Sequence, residues 1–348
     1  MKKNIIISGH ICLDLIPIIE DKYSSFNEII TPGGLTNIGE LVISGGGPVF
    51  NVGSALSKII DKKKFNLFLN ARTGEDILAS LIEEKLKKKQ IKFKFSKNKK
   101  FSTSYTIALA TPKIDRAYLH NSGANDFFSS QDLFFPEEDS PGIFHFGYPQ
   151  LMKTVYQNEM ELKKIFKLAK DKQYVTSLDL SLVSKDSDSA KKDWKIIMGN
   201  ALPHVDMLFM GLEEADFILN KDNYFINKRE YLKEGKNFDH YYDDNKINWL
   251  VEGMFTLGAN LLVLKAGKRG SFLFSKNHKN PFSKYSWANL ELVKKAITVK
   301  NIKNSVGAGD NFAAGFIYSY ISGDSPKKCL DNATKIAVKS LVNHSAEL

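Results

Sequence analysis

Cysteine is nearly missing from this chain. Cys12 and Cys329 are the only two in 348 residues; they lie far apart and match no CxxC or zinc-ligand spacing, which excludes a disulfide framework and a structural zinc site. A reducing, cytoplasmic setting is the expectation. Long apolar runs are missing too. Lys2 and Lys3 precede the apolar run Asn4 to Ile19 in the manner of a signal peptide, but His10 and Asp14 interrupt it and no small-residue cleavage site follows. No other stretch reaches the length a membrane span requires. Neither GxxxxGK[ST] nor an early GxGxxG occurs, which disfavours a P-loop enzyme and a dinucleotide fingerprint.

Acidic residues are outnumbered, 39 against 49 basic, for a formal charge of +10. The excess is mostly lysine, scattered in short runs such as Lys62 to Lys64 and Lys87 to Lys89 rather than gathered on one element among aromatics. That pattern points away from nucleic acid and towards a solvated surface. A cationic field also attracts an anionic nucleotide.

What is present is a length and a 43% hydrophobic content sufficient for one large domain with a minor subdomain. The nearly continuous apolar runs Asn4 to Ser8, Phe65 to Ala71, Ile143 to Gly147, Tyr174 to Leu180, Val205 to Met210 and Leu261 to Lys265 read as strands buried on both faces. Between them lie helical stripes, one of Ile77, Leu78, Leu81, Ile82 and Leu86, another of Leu162, Ile165, Phe166 and Ala169. Ser325 and Pro326 read as the cap and first-turn proline of a closing helix. The spacing predicts an α/β fold, a mostly parallel sheet with helices on both faces.

Two stretches break the rhythm, residues 16–44 and 93–119. In the second, Thr103, Tyr105, Ile107 and Leu109 alternate as in half-exposed antiparallel strands, so the two together predict a small β lid over the strand ends. Residues 221–248, polar, aromatic and Lys-rich, read as a surface insertion of no evident purpose.

The strongest chemical signal is Asn304-Ser305-Val306-Gly307-Ala308-Gly309-Asp310, followed by the small, apolar helix of Ala313, Ala314, Gly315, Phe316 and Ile317 and preceded by a strand candidate, Ala296 to Ile302. Free backbone N–H groups and the helix dipole meet an anion at such a turn. Gly307, Ala308 and Gly309 would form an anion hole, and Asp310 would orient an incoming hydroxyl and take its proton. Asp310 as a simple helix cap is the plainer alternative.

NSVGAGD followed by NFAAGF resembles the C-terminal signature of the PfkB, or ribokinase-like, carbohydrate kinases, with Asn304 and Ser305 where Asp-Thr is usual. Other landmarks follow in family order. Gly9 to Asp14 resembles the first-strand motif, with Cys12 where Asn is common. Gly45 to Gly53 resembles the N-terminal signature; then come Gly74 and Asp76, the segment Asn121 to Asn125, Phe146 to Pro149, and Asp179. Gly211-Leu212-Glu213-Glu214 stands in place of NxxE, and Lys265-Ala266-Gly267 with Gly270 in place of KxG..G.

The resemblance covers essentially the whole chain, residues 1–348, as a single ribokinase-like domain, and implies a sugar kinase using ATP and Mg2+, with monovalent-cation activation (K+) left open. It assigns Asp14, Gly46, Gly47, Asn51 and Asn125 to the sugar, Asp179, Lys265, Gly267 and Gly270 to the nucleotide, and Glu214 to the magnesium shell. It also implies a homodimer formed through the lid. A nucleoside kinase would need stacking aromatics, for which Phe50, Phe101, Tyr105 and Tyr118 are candidates. A phosphosugar kinase would need a cation among Lys22, Lys113 and Arg116. A catalytically silent sugar- or nucleotide-binding protein is the reading from outside enzymology.

Overall fold

The computed structural model describes residues 1–342 apart from 110, 112–113, 115–116, 138–139, 235–237, 300–301 and 303–305. In chain order the strands are β1 (Lys3–Gly9), β2 (Cys12–Pro17), β3 (Leu41–Gly46), β4 (Phe65–Gly74), β5 (Lys92–Asn98), β6 (Tyr105–Leu109) and β7 (Ala117–Asn121). They continue with β8 (Ser140–Gly147), β9 (Val175–Asp179), β10 (Met207–Gly211), β11 (Leu261–Lys265), β12 (Ser271–Ser275) and β13 (Glu291–Lys294).

Nine strands form one sheet in the order β13-β12-β11-β10-β9-β8-β1-β4-β5. The pairs from β11 to β5 are parallel, and β12 and β13 add an antiparallel edge. The apolar runs are unbroken because each face meets a helical layer. Ile6, Phe144, Phe146, Leu208 and Met210 join the core that holds Phe166 and Trp194, while Ile5, Ile7, Val49, Phe50, Phe209, Phe316 and Tyr320 form the core on the other face. Successive side chains of one strand thus feed opposite cores.

The helices end where their sequences indicate. Asp76 caps the helix Ile77–Lys88 by accepting from the Ala79 N–H at 2.9 Å, and Ser325 caps Pro326–Leu341. Leu162, Ile165, Phe166 and Ala169 are all buried, whereas Ile77, at the first helical position, faces solvent.

A second sheet has the order β3-β2-β6-β7. Its strands come from both excursions, but β5 does not belong to it, so the boundary at 93 is corrected: Lys92–Asn98 pairs with β4 at the rim of the large sheet, and its alternation is that of an edge strand. The strand expected over Ala296 to Ile302 is also corrected. Its described residues are not in a sheet, and Glu291–Lys294 is the strand before the turn.

Residues 221–248 are more than a surface excursion. They form the helix Lys221–Lys233 and the start of Asp244–Thr256, and they bury Tyr224, Phe238, Tyr242 and Ile247 in the core. The aromatic content noted in this segment is what holds it down.

Candidate active site

The chain leaves β1 towards β4 on one side and reaches β8 on the other, so the order of the large sheet switches between β1 and β8. Crevices of open α/β sheets lie at the carboxyl ends of strands at such a point. Here the two strand ends nearly touch. A Cβ on Gly9, whose φ is +117°, would stand 2.4 Å from the Gly147 carbonyl oxygen, so no other residue fits. Directly after Gly147 the chain turns through Tyr148 in the left-handed region at φ 63°, a conformation uncommon for a bulky residue.

That turn aims Tyr148 at Asp310. The helix Ala308–Ile321 starts after Gly307, itself at φ 72°, and carries Asp310 in its first turn. The Asp310 carboxylate is 2% exposed and both its oxygens are engaged: Asn51 Nδ2 donates to Oδ2 at 2.8 Å and the Tyr148 hydroxyl to Oδ1 at 2.9 Å. Burial raises its pKa, opposed by Asn51, Lys265 and Tyr148. Asn51 comes from the helix Gly47–Ile59, which enters through Gly47 at φ +74°, where a Cβ would stand 2.7 Å from His10 Nδ1.

Strand periodicity sorts the small sheet into two faces. Register places Ser44 opposite Asp14, Asp14 beside Thr106, and Thr106 opposite His120, a polar row across all four strands. Burial first, then the Asp310 charge, pushes the Asp14 carboxyl up to about 6, against hydrogen bonds from Cys12 and Thr106. The Cys12 thiol donates to Asp14 Oδ1 at 3.3 Å. Gly46 must lack a side chain, because a Cβ there would lie 2.3 Å from both Asp14 oxygens. His120 meets Thr106 Oγ1 through Nδ1 at 2.9 Å and His10 Nε2 through Nε2 at 3.3 Å, which joins β7 to the turn after β1.

On the other side of Asp310, Lys265 at the end of β11 donates to Asp179 Oδ1 at 2.6 Å, and its Nζ stands 3.4 Å from where a Gly309 Cβ would be. Burial works against the Lys265 charge, yet Asp179, Glu214 and Asp310 hold its pKa above the ordinary value. Burial likewise raises Asp179, to about 7, although Lys265 opposes it. One buried cation thus serves several carboxylates, a centre that gains from a further cation. Glu214 folds back over its own helix start, where a Cβ on Gly211 would lie 2.1 Å from Oε2. Only the flexible tip of Glu214 would have to move for an Asn there, so nothing in the structure explains Gly211.

Among the described residues no three metal-ligating side chains cluster. The set suits a cation held largely by water and phosphate oxygens, as magnesium is, rather than by a protein cage. Gly267 (φ 51°) and Gly270 (φ 92°) shape the turn after Lys265, and Ala266 N–H donates to the Gly270 carbonyl at 2.9 Å.

Asp310, Asn51, Asp14, Gly46 and Gly47 are brought together on one side and Asp179, Lys265 and Glu214 on the other. Asn125 is not among them. Its Oδ1 accepts from Ile11 N–H at 3.3 Å and its Nδ2 donates to the Ile11 carbonyl at 2.7 Å, so the amide holds the backbone after β1. Phe50 lies in the core and is no free platform, while Phe101 is stacked on Phe127 at 4.1 Å and remains partly exposed.

Lys22 is paired with Glu20, while Lys113, Arg116, Asn304 and Ser305 fall outside the described residues. Sequence reasoning gave no role to Tyr148, His10, Thr106 and His120. The Thr103 to Leu109 alternation held a signal for Thr106; register reveals His120, and packing at the turns after β1 and β8 reveals His10 and Tyr148.

The family model for pfkB family carbohydrate kinases matches residues 2–347. A 5-dehydro-2-deoxygluconokinase of Geobacillus thermodenitrificans is 30% identical over 106 residues, a match spanning 30% of this chain and 27% of that relative. Among solved structures, Arabidopsis thaliana ribokinase complexed with ribose and ATP superposes with a TM-score of 0.68 at 17% identity, covering 98% of this chain and 93% of that one. Adenosine kinase from Sinorhizobium meliloti gives a TM-score of 0.69 at 16% identity, covering 100% and 96%. At such identities these structures speak for the ribokinase-like fold alone. No helix among the described residues is long and apolar enough to cross a membrane.

Proposed function

The chain belongs to the pfkB family of carbohydrate kinases, and from that premise we propose that it transfers the γ-phosphoryl group of ATP to a hydroxyl of a sugar or sugar-like molecule, with Asp310 as the base. The observation that carries this reading is the placement of Asp310. It is a buried carboxylate in the first turn of a helix behind Gly307, Ala308 and Gly309, between the polar row of the small sheet and Lys265.

In this scheme Asp14, Asn51 and the open backbone of Gly46 and Gly47 hold the acceptor, since each sugar hydroxyl both donates and accepts. Asp310 takes the hydroxyl proton as the acceptor oxygen bonds to the γ-phosphorus and the bond to the ADP oxygen breaks. The backbone N–H groups at Gly307 to Gly309 and the Lys265 ammonium face the negative charge of the phosphoryl group in transfer. Asp179, Gly267 and Gly270 complete the nucleotide side. Magnesium, held through water by Glu214, would neutralise phosphate charge.

The small sheet acts as a lid over the acceptor. Its second face, with Ile43, Leu15, Ile107 and Leu119 in one cross-strand row, is the surface through which two copies pair.

The test is ADP release with magnesium and ATP against ribose, fructose, other hexoses, sugar acids, phosphosugars and nucleosides. One acceptor should support turnover, and Asp310→Asn should lower kcat by roughly 10² to 10⁴ while leaving the fold intact. Turnover by that variant at the wild-type rate would remove Asp310 from the role. ATP or sugar stabilising the protein without ADP release on any acceptor would favour a binding protein.

A further inference from the structure

Glu213 and Asp216, three residues apart on the helix Leu212–Leu219 that also carries Glu214, are each gripped by the segment that follows. Lys228 pairs with Glu213 at 2.5 Å, joined by the Tyr224 hydroxyl at 2.6 Å. Lys246 pairs with Asp216, which is fully buried, at 2.8 Å. The same segment reaches a third point. Arg269, in the turn between β11 and β12, donates through Nη1 to the Tyr242 carbonyl and through Nη2 to Asp244 Oδ1 at 2.5 Å. Tyr242 is itself anchored, with its ring buried against Phe238.

The Gly267–Arg269 turn is closed by its own backbone, with Ala266 N–H donating to the Gly270 carbonyl and Arg269 N–H to the Ala266 carbonyl, both at 2.9 Å, but its tip is unpacked. Gly267 and Lys268 are exposed, both glycines of the turn have positive φ, and a Cβ on Gly267 would meet nothing within 4 Å. A closed turn free to swing as a unit would carry its tip at Gly267 and Lys268 away from the nucleotide. Binding would then have to order it.

We propose that Arg269 is a positioning residue for the nucleotide: its two-pronged contact with Tyr242 and Asp244 pre-sets the turn after Lys265. Residues 221–248 are the bracket that fixes this turn and the Glu214 helix in one frame. This rests on the kinase reading, which places ATP beside Lys265. The guanidinium is suited to the task because its rigid fork holds two nitrogens at a fixed spacing, one on a backbone carbonyl and one on a carboxylate, whereas an ammonium is a single point charge on a flexible stem. Asp244 is largely exposed, so most of the hold lies in the contact with the Tyr242 carbonyl.

The experiment is calorimetric titration of MgATP into the wild type, Arg269→Ala, Arg269→Lys and Asp244→Lys, each checked for an unchanged melting temperature, with steady-state KM for both substrates measured in parallel. Arg269→Ala should weaken MgATP binding about ten-fold and raise KM for ATP while sparing KM for the acceptor, and Arg269→Lys should not restore it. Asp244→Lys should also weaken binding, although it adds a positive charge near the nucleotide. Restoration by lysine together with tighter binding in Asp244→Lys would mean that Arg269 touches phosphate directly, and would overturn the clamp. Wild-type affinity in all variants would overturn it as well. Failure of the wild type itself to bind MgATP would instead overturn the kinase reading on which the clamp stands.

Discussion

At the proposed base, Asn51 and Tyr148 between them occupy both carboxylate oxygens of Asp310 before any acceptor arrives. The Tyr148 hydrogen bond favours the ionised form against the effect of burial. Removing it should therefore raise the Asp310 pKa further. Tyr148→Phe is expected to move the acid limb of kcat/KM to higher pH and to lower kcat by about ten-fold, the scale of a hydrogen bond to a charged group. A pH profile of both proteins checks this. Asp14 gives the opposite kind of test, on stability. Its folded pKa of about 6 exceeds the roughly 3.9 of an unfolded aspartate, so between those values the folded state binds more protons. The cost of the buried charge is therefore complete above pH 6 and is relieved as the pH falls towards 4. Asp14→Asn should unfold at higher denaturant than the wild type at pH 8, by on the order of 1–3 kcal/mol. The gain should vanish by pH 4, and acceptor affinity should be lost.

Elements matter here chiefly through where they end. β1, β8, β9, β10 and β11 finish at Gly9, Gly147, Asp179, Gly211 and Lys265, and parallel pairing puts these ends along one edge of the sheet. The helices Gly47–Ile59 and Ala308–Ile321 then start above that edge, which brings Asn51 to Asp310 across 259 positions of sequence. The turn after β11 is closed by its own backbone hydrogen bonds and tied by Arg269 to the segment at Tyr242 and Asp244, so the Arg269 variants are expected to change nucleotide affinity and to leave the acceptor side unchanged. β5 illustrates the limit of reading elements by pattern. Half-exposed alternation is common to a lid strand and to the rim of a large sheet, and only its partner, β4, distinguishes them.

For the molecule as a whole, the small sheet stands over the strand ends with a polar row on one face and an apolar row on the other. On the apolar face Leu119 is 56% exposed and Ile43 37%. Leaving such a row in water is unfavourable, and pairing with a second copy would cover it. Sedimentation velocity is expected to give a dimer for the wild type and a monomer for Leu119→Lys with Ile43→Glu. A wild-type monomer at tens of micromolar would refute pairing through this face.

The residues by themselves determined the fold class and most of one edge of the site. Short apolar runs alternating with longer amphipathic stripes read as strands buried on both faces, and Gly307, Gly309 and Asp310 stand together in a contiguous turn whose shape is local. Asp14, Asn51, Asp179, Glu214 and Lys265 were singled out by the order of the family's landmarks along the chain rather than by any local pattern. Tertiary structure alone decided the partners. That Asn125 ties down the backbone after β1, that Tyr148 reaches Asp310, that Thr106 and His120 share a row with Asp14, and that Arg269 grips Tyr242 all depend on strand register and on packing between distant segments. A one-residue slip of register would turn each of those lid side chains to the opposite face, and no local pattern in this chain records which register is taken.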